Sequence, residues 1–247
     1  MSLIKINYHQ IFGSSHDENS PFSIDGIGFE PESVLNSVSK DLIYYQCPAW
    51  KHKASRTFLI KCPVDINLSV DLEQKTLHSS NLNQWQFNEY CHETFVENWC
   101  SPEKTTIQLS IPRFIFWTNQ KNIWIESRPH FNTVINNNLI AVSGWFNLSS
   151  YVRPISVGFD VVDVSKPIII KRGDPLLEVC FYSNDLNSAV SLNKADLPKK
   201  ILEEIQKRGR LFSQISSHQL GRDIVKKQYE SMFKKQKSKC PFEFMWK

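Results

Sequence analysis

Phe58-Leu59-Ile60-Lys61-Cys62-Pro63-Val64-Asp65-Ile66-Asn67-Leu68-Ser69-Val70 is the stretch on which the fold reading turns. Phe58, Ile60, Cys62, Val64, Ile66, Leu68 and Val70 are apolar, while Lys61, Asp65, Asn67, Ser69 and then Asp71 fall between them. Side chains alternate between the two faces of a strand, so a period of two held this long predicts a half-buried strand, or two strands broken at Pro63. Pro63 has no N–H to give to a ladder, which places it at an edge or a bend.

Outward from this stretch, short apolar runs recur at Thr106–Leu109, Phe114–Thr118, Ile123–Ser127, Leu139–Ser143, Ile155–Val162, Pro167–Lys171 and Leu176–Tyr182. Turn-forming residues separate them: Asn119-Gln120-Lys121-Asn122, Asn136-Asn137-Asn138 and Arg172-Gly173-Asp174-Pro175. Many short strands without helical periodicity between them predict a mainly β protein with a sandwich or barrel-like core over residues 41–190. Before it, residues 1–40 carry turn signals at Asn19-Ser20-Pro21 and Asp25-Gly26 and read as an irregular arm or a short strand pair. After Asn193 the period changes: Ile201, Leu202, Ile205, Phe212, Ile215, Ile224, Val225, Met232 and Phe233 fall near helical spacing. Residues 191–247 are therefore expected to form an appendage of two C-terminal α-helices, giving α+β overall. Its end, Cys240-Pro241-Phe242-Glu243-Phe244-Met245-Trp246, is apolar enough to dock on this molecule or on a neighbour.

Composition bounds the function. A chain of 247 residues with 41% hydrophobic, 12% aromatic and 22% charged residues can bury a core without staples. It holds only 8 Gly against 16 Phe, 7 Trp and 7 Tyr, and neither a G-x-G-x-x-G nor a G-x-x-x-x-G-K-[ST] run occurs, which excludes the glycine-dependent phosphate loops. The net charge of +4 is divided unevenly. Lys199 to Lys247 carries thirteen Lys and Arg against five Asp and Glu, net +8, leaving net −4 on the rest. A basic segment attracts polyanions and acidic protein faces. Arg222, Lys226, Lys227, Lys234, Lys235, Lys237 and Lys239 are its candidate partner-binding residues.

The start of the chain has no signal-like apolar segment and no window suits a membrane span, so a cytoplasmic protein is expected. The cysteines Cys47, Cys62, Cys91, Cys100, Cys180 and Cys240 then read as free thiols. They make no C-x-x-C pair, and Cys91-His92 with Cys100 lacks a matched second ligand pair, so neither a metal nor a cofactor is expected. His9, His16, His52, His78, His92, His130 and His218 fall in no H-x-D or H-E-x-x-H pattern. Asp65, Glu126, Asp160 and Glu178 read as polar faces and turn ends. Cys47, held extended by Pro48, reads as structural.

Two segments carry a resemblance. Gly144-Trp145-Phe146-Asn147-Leu148-Ser149-Ser150-Tyr151-Val152-Arg153-Pro154-Ile155, followed by Pro167-Ile168-Ile169-Ile170 and the Gly173-Asp174 turn, resembles the C-terminal half of the β-clip core of dUTPases and dCTP deaminases. The wider stretch from Cys47-Pro48-Ala49-Trp50 through Ser127-Arg128-Pro129 to Arg172-Gly173-Asp174-Pro175-Leu176 resembles a bacterial and tailed-phage family without an established chemistry. The first resemblance implies a β-clip fold and assembly as a homo-oligomer, the trimer being the form such relatives take. It also implies a catalytic aspartate three residues before Tyr151, where Leu148 stands, with Asn147 one step away. No carboxylate lies between Ser143 and Tyr151, so the base that activates water is missing from the pattern.

The favoured expectation is a non-enzymatic phage-type accessory or structural protein, cytoplasmic in the host or virion-associated, with a β body and a basic segment that contacts another macromolecule. The alternative is a small-ligand receptor or nucleotide-related enzyme with an aromatic and arginine-lined cleft. Its candidates are Trp50, Trp117, Trp124, His130, Trp145, Asn147, Tyr151, Arg153 and Arg172, with Arg128 beside them. Aromatic rings stack on flat ligands and guanidinium groups hold anions.

Overall fold

The computed structural model describes residues 3–11, 28–74, 76–97, 105–110, 113–149, 152–155, 157–185 and 187–205. The chain divides into two compact units, Met1–Ala195 and Asp196–Lys247. The first is mainly β and its described strands form four sheets.

The expected alternating stretch is two strands, β3 (Thr57–Lys61) and β4 (Ile66–Asp71), with Pro63 at the bend between them. β4 alternates as read, burying Ile66 and Leu68. β3 does not: Thr57, Phe58, Leu59 and Ile60 are all buried. Its second face is roofed by α1 (Val34–Ser37) and α2 (Pro48–Ala54), two short helices that the alternation could not announce. α2 starts where Pro48 takes the first helical position, needing no N–H there, and Cys47 before it is extended as expected.

The five-stranded sheet runs β11 (Gly144–Asn147), β9 (Trp124–Pro129), β14 (Pro175–Tyr182), β3 and β2 (Glu32–Ser33). A four-stranded sheet orders β10 (Leu139–Ala141), β12 (Val157–Val161), β7 (Thr105–Leu109) and β6 (Cys91–Glu97). In a three-stranded sheet, β4 lies between β13 (Ile168–Ile170) and β5 (Thr76–Ser79). The last sheet places β1 (Leu3–Ile11) between β15 (Ala189–Lys194) and β8 (Arg113–Trp117). β1 pairs parallel to β15 and antiparallel to β8. The N-terminal segment, open between an irregular arm and a short strand pair, contains this strand, and Ile4, Ile6 and Tyr8 alternate into the core. Residues 12–27, with both N-terminal turn signals, lie outside the described residues.

One core draws on all four sheets, with Ile6, Phe114 and Phe116 from the first, Phe58, Val179 and Phe181 from the five-stranded sheet, Ile107 and Phe159 from the four-stranded sheet, and Ile66, Leu68 and Ile168 from the remaining one. Aromatic contacts thread it: Phe114 to Phe116 at 5.9 Å, Phe116 to Phe181 at 5.5 Å and Phe181 to Phe58 at 5.9 Å. Such pairs add directional attraction to area burial. Two further helices sit on this body, α3 (Gln84–Tyr90) and α4 (Phe131–Asn137). α3 begins with a reciprocal cap in which Asn83 accepts from the Gln86 N–H and the Gln86 side chain accepts from the Asn83 N–H. α4 is tied to the β13–β14 turn, where Asn137 donates to Ile169 O at 2.7 Å and to the Asp174 carboxylate at 3.0 Å.

That turn is the Gly173-Asp174 element of the resemblance. Gly173 has φ +94, a conformation in which a side chain is strained, and its N–H donates to Cys62 O while Cys62 N–H donates to Asp174 O. In the second unit, residues 199–205 are helical, where Ile201, Leu202 and Ile205 set the expected period. The second expected helix and the apolar terminus lie outside the described residues. Among those described, no helix is long and apolar enough to cross a membrane.

Candidate functional site

The register of the five-stranded sheet determines which side chains share a face. Trp145 lies opposite Glu126, and Asn147 opposite Trp124. Tyr182 lies opposite Trp124, Cys180 opposite Glu126 and Glu178 opposite Arg128. Thr57 completes the row opposite Cys180. Directly paired residues point to the same side. The intervening residues Ile125, Val179, Phe181 and Phe58 point into the core. The other face therefore carries Trp124, Glu126, Arg128, Trp145, Asn147, Glu178 and Tyr182.

At one end of this face three aromatic rings meet. Trp145 stacks on Tyr182 with centroids 5.4 Å apart and planes 13° from parallel, and Trp124 approaches Trp145 at 6.4 Å. Because β9 separates β11 from β14, Trp145 spans the strand that carries Glu126. The Tyr182 hydroxyl donates to Glu126 at 2.6 Å. Burial, the Cys180 side chain and the Glu126 carboxylate together hold the Tyr182 proton on well above the usual phenol range. Trp145 keeps 49% of its surface in solvent, on the edge strand of the sheet.

Further along lies an ion pair. The Nε and Nη2 of Arg128 both reach the same Glu178 oxygen at 2.7 Å. Arg128 also donates to Thr57 Oγ1, which in turn donates to the Lys53 carbonyl of α2. Burial alone would lower the Arg128 pKa; the Glu178 carboxylate outweighs it and holds the guanidinium charged. His130 follows, just before α4. It is 8% exposed, and burial lowers its pKa against the opposing pull of Glu178.

The sequence-predicted residues divide accordingly. Trp124, Trp145 and Asn147 come together, with His130 on the same side beyond Arg128. Trp117 is a core residue of β8. Trp50 belongs to a separate cluster with Tyr44 at 5.1 Å and Tyr45 at 5.7 Å. Arg153 lies beside the Ile115–Pro154 bridge, its Nε on the Pro154 carbonyl. Arg172 sits at the opposite end of β14 from Tyr182, with its guanidinium 4.9 Å from the Phe29 ring. Tyr151 and the basic residues Arg222, Lys226, Lys227, Lys234, Lys235, Lys237 and Lys239 lie outside the described residues. Tyr182 and Glu178 were not among the expected ligand residues. Their signal was present as Trp124-x-Glu126-x-Arg128 and Glu178-x-Cys180-x-Tyr182, polar and aromatic groups at a period of two on neighbouring strands.

At the position of the expected catalytic aspartate, Leu148 is buried and Asn147 accepts from Ser149 N–H at 2.9 Å, closing the turn after β11. Asp160 bonds Thr106, and Asp65 accepts from Arg172 N–H, as expected of polar faces and turn ends. Cys47 is an exposed free thiol, whereas Cys62, Cys91 and Cys180 are buried free thiols. Among the described residues no group of His, Cys, Asp and Glu could hold a metal ion.

No protein-family model matches the chain, and no curated protein does. Solved structures to which it is similar include the EIAV dUTPase, 9% identical over 78% of this chain and 97% of that one, at a TM-score of 0.33. The dUTPase of Staphylococcus bacteriophage 80alpha with dUpNHpp is 8% identical over 70% and 93%, at 0.35. That of phage phi11 of S. aureus is 8% identical over 70% and 90%, also at 0.35. Overlap at this level carries no argument about activity or assembly, and the fold stands on the sheets described above.

Proposed function

We propose that this chain is a non-enzymatic interaction protein of the phage accessory type, acting in the host cytoplasm, whose basic C-terminal segment engages a polyanion or an acidic protein face. One observation carries the non-enzymatic half: the ionisable groups of the aromatic face are committed to one another. Arg128 holds Glu178, Tyr182 holds Glu126, and Asn147 is used in closing a turn. A general base must be free to take a proton from the reacting group, and carboxylates occupied in this way favour a fixed surface over a proton-transfer site. The net +8 of residues 199–247 supports the polyanion half.

Binding of a single-stranded DNA oligonucleotide by the full chain tests the reading. Affinity should fall steeply with salt. Replacing Lys234, Lys235, Lys237 and Lys239 by Gln should lower the log–log slope by up to about 3, at about 0.7 for each phosphate no longer neutralised. No binding at low salt, or an unchanged slope, would remove the basic segment from the account. The Trp145–Tyr182 stack favours a second reading, a receptor for a flat ligand. Thermal stabilisation by one nucleotide class, abolished in Trp145→Ala, would promote it.

A further inference from the structure

We propose that the cleft between the start of β1, the β8–β9 loop and the β14–β15 loop binds a free aliphatic amino acid of about leucine's size, with its side chain on an apolar floor and its two charged ends at Asp185 and Lys121. None of these residues belongs to the aromatic face or to the basic segment. The cleft has a volume of about 220 Å³. Ile4 and Ile123, both buried, form its floor, and Leu3 carries the apolar surface up to the rim. A cavity of roughly 150 Å³ accommodates benzene, so in proportion this one holds about nine heavy atoms. Leucine is of that size, whereas a nucleotide is about twice as large and would stand mostly outside.

The walls are ordered before any ligand arrives. Gln120 ties the β8–β9 loop to β1, its side chain accepting from Lys5 N–H at 2.8 Å and donating to Leu3 O at 3.0 Å. Asn122 has φ 59, a left-handed conformation that asparagine tolerates, and it turns the chain between Lys121 at the rim and Ile123 on the floor. On the other side the β14–β15 loop folds around Asp185, whose carboxylate accepts from Asn187 N–H at 2.9 Å and from Ser188 Oγ at 3.0 Å. Buried Arg56 holds the same loop from behind, donating to Ser188 O at 2.6 Å. A cleft formed in advance loses little conformational freedom when it is filled.

Charge then selects the ligand. Asp185 and Lys121 both line the cleft and both are exposed, and no ion pair joins them among the described residues. A simple anion would meet Lys121 but also Asp185, and a simple cation the reverse. A zwitterion answers both: its ammonium donates to the Asp185 carboxylate, and its own carboxylate accepts from Lys121 Nζ. The two loop bonds to Asp185 fix the direction of a group that presents about four acceptor positions. The remaining aliphatic part of the ligand leaves water for the surface of Leu3, Ile4 and Ile123.

An amide chemical-shift titration of the full chain with L-leucine tests this. Leucine should shift the signals of Lys121, Asn122, Ile123, Asn184 and Asp185 saturably. Isoamylamine, which lacks the carboxylate, and isocaproate, which lacks the ammonium, should each bind about 10-fold more weakly, the equivalent of one charge-assisted contact. Lys121→Gln should weaken leucine by about the same factor without weakening isoamylamine, and Asp185→Asn should weaken leucine without weakening isocaproate. Because Asp185 also orders its own loop, Lys121→Gln decides the matter where the two variants differ. Leucine shifts that fail to saturate, or that survive Lys121→Gln undiminished, would overturn the proposal. Isocaproate or isoamylamine binding as tightly as leucine would make this a site for a single charge and overturn it equally, as would dUMP moving the same signals.

Discussion

Arg128→Met is the sharpest perturbation of the aromatic face. It keeps a long apolar side chain on the sheet and removes both hydrogen bonds to Glu178, two groups whose side chains are 17% and 16% exposed. The carboxylate would then sit mostly out of water without its partner, and Thr57 would lose a donor. Removing one partner of a fully buried pair costs about 3–5 kcal/mol; with a sixth of each side chain still wet, about 2–4 kcal/mol is expected here. For a domain of this size that lowers Tm by roughly 4–16 °C. Adding Glu178→Gln removes the stranded charge, so the double variant should be more stable than the sum of the two single losses by about 1–3 kcal/mol. Urea unfolding followed by circular dichroism measures all four corners of the cycle. A single-variant loss below about 1 kcal/mol, or strict additivity, would refute the view that these groups hold each other and reduce the pair to a surface contact.

Three further outcomes follow from the same structure. Burial keeps His130 neutral below its ordinary range, so as pH falls below about 6.5 the unfolded chain takes up a proton that the native chain resists. Stability should therefore decline over that window, and less so in His130→Gln; equal pH slopes would argue against a buried neutral imidazole. Asn83→Ala removes the acceptor of the α3 cap and should cost about 1 kcal/mol, with no loss if the helix is held by packing alone. Burial pushes the Cys62 and Cys91 thiols up to about 12, while Cys47 is exposed. In a chain carrying Cys100→Ser and Cys240→Ser, a thiol reagent should modify Cys47 rapidly and the other three only on unfolding; fast labelling of Cys62 would contradict its buried place at the β3–β4 bend.

Strands were the most legible part of the sequence, because a half-buried strand writes its burial into every second residue. Val157 to Val161 and Ile66 to Val70 show this directly, and all seven further runs coincide with strands. Reading failed where a second neighbour changed the burial. Leu59 in β3 is covered by the α1–α2 segment, and β1 is made a strand by pairing with β15, far away in sequence. Short helices were missed for a related reason. α3 and α4 have seven residues each, too few for a helical period to register, although Asn83-x-x-Gln86 was a usable cap signal. The site was legible only in part. Tryptophan marks both surfaces and cores, and β8 and β11 each end their sheet, so Trp117 and Trp145 look alike until packing buries the first and leaves the second half exposed. Which residues join them depends on strand register, and no single strand contains that information.

Pyrophosphate release from dUTP and dCTP by the full chain with magnesium separates a binding face from a catalytic one most directly. With Glu126 and Glu178 committed to Tyr182 and Arg128, and with Asn147 closing a turn, release should not exceed the buffer blank. Turnover above that blank, lost when Glu126→Gln is introduced, would show that a carboxylate of this face does take a proton and would contradict the account.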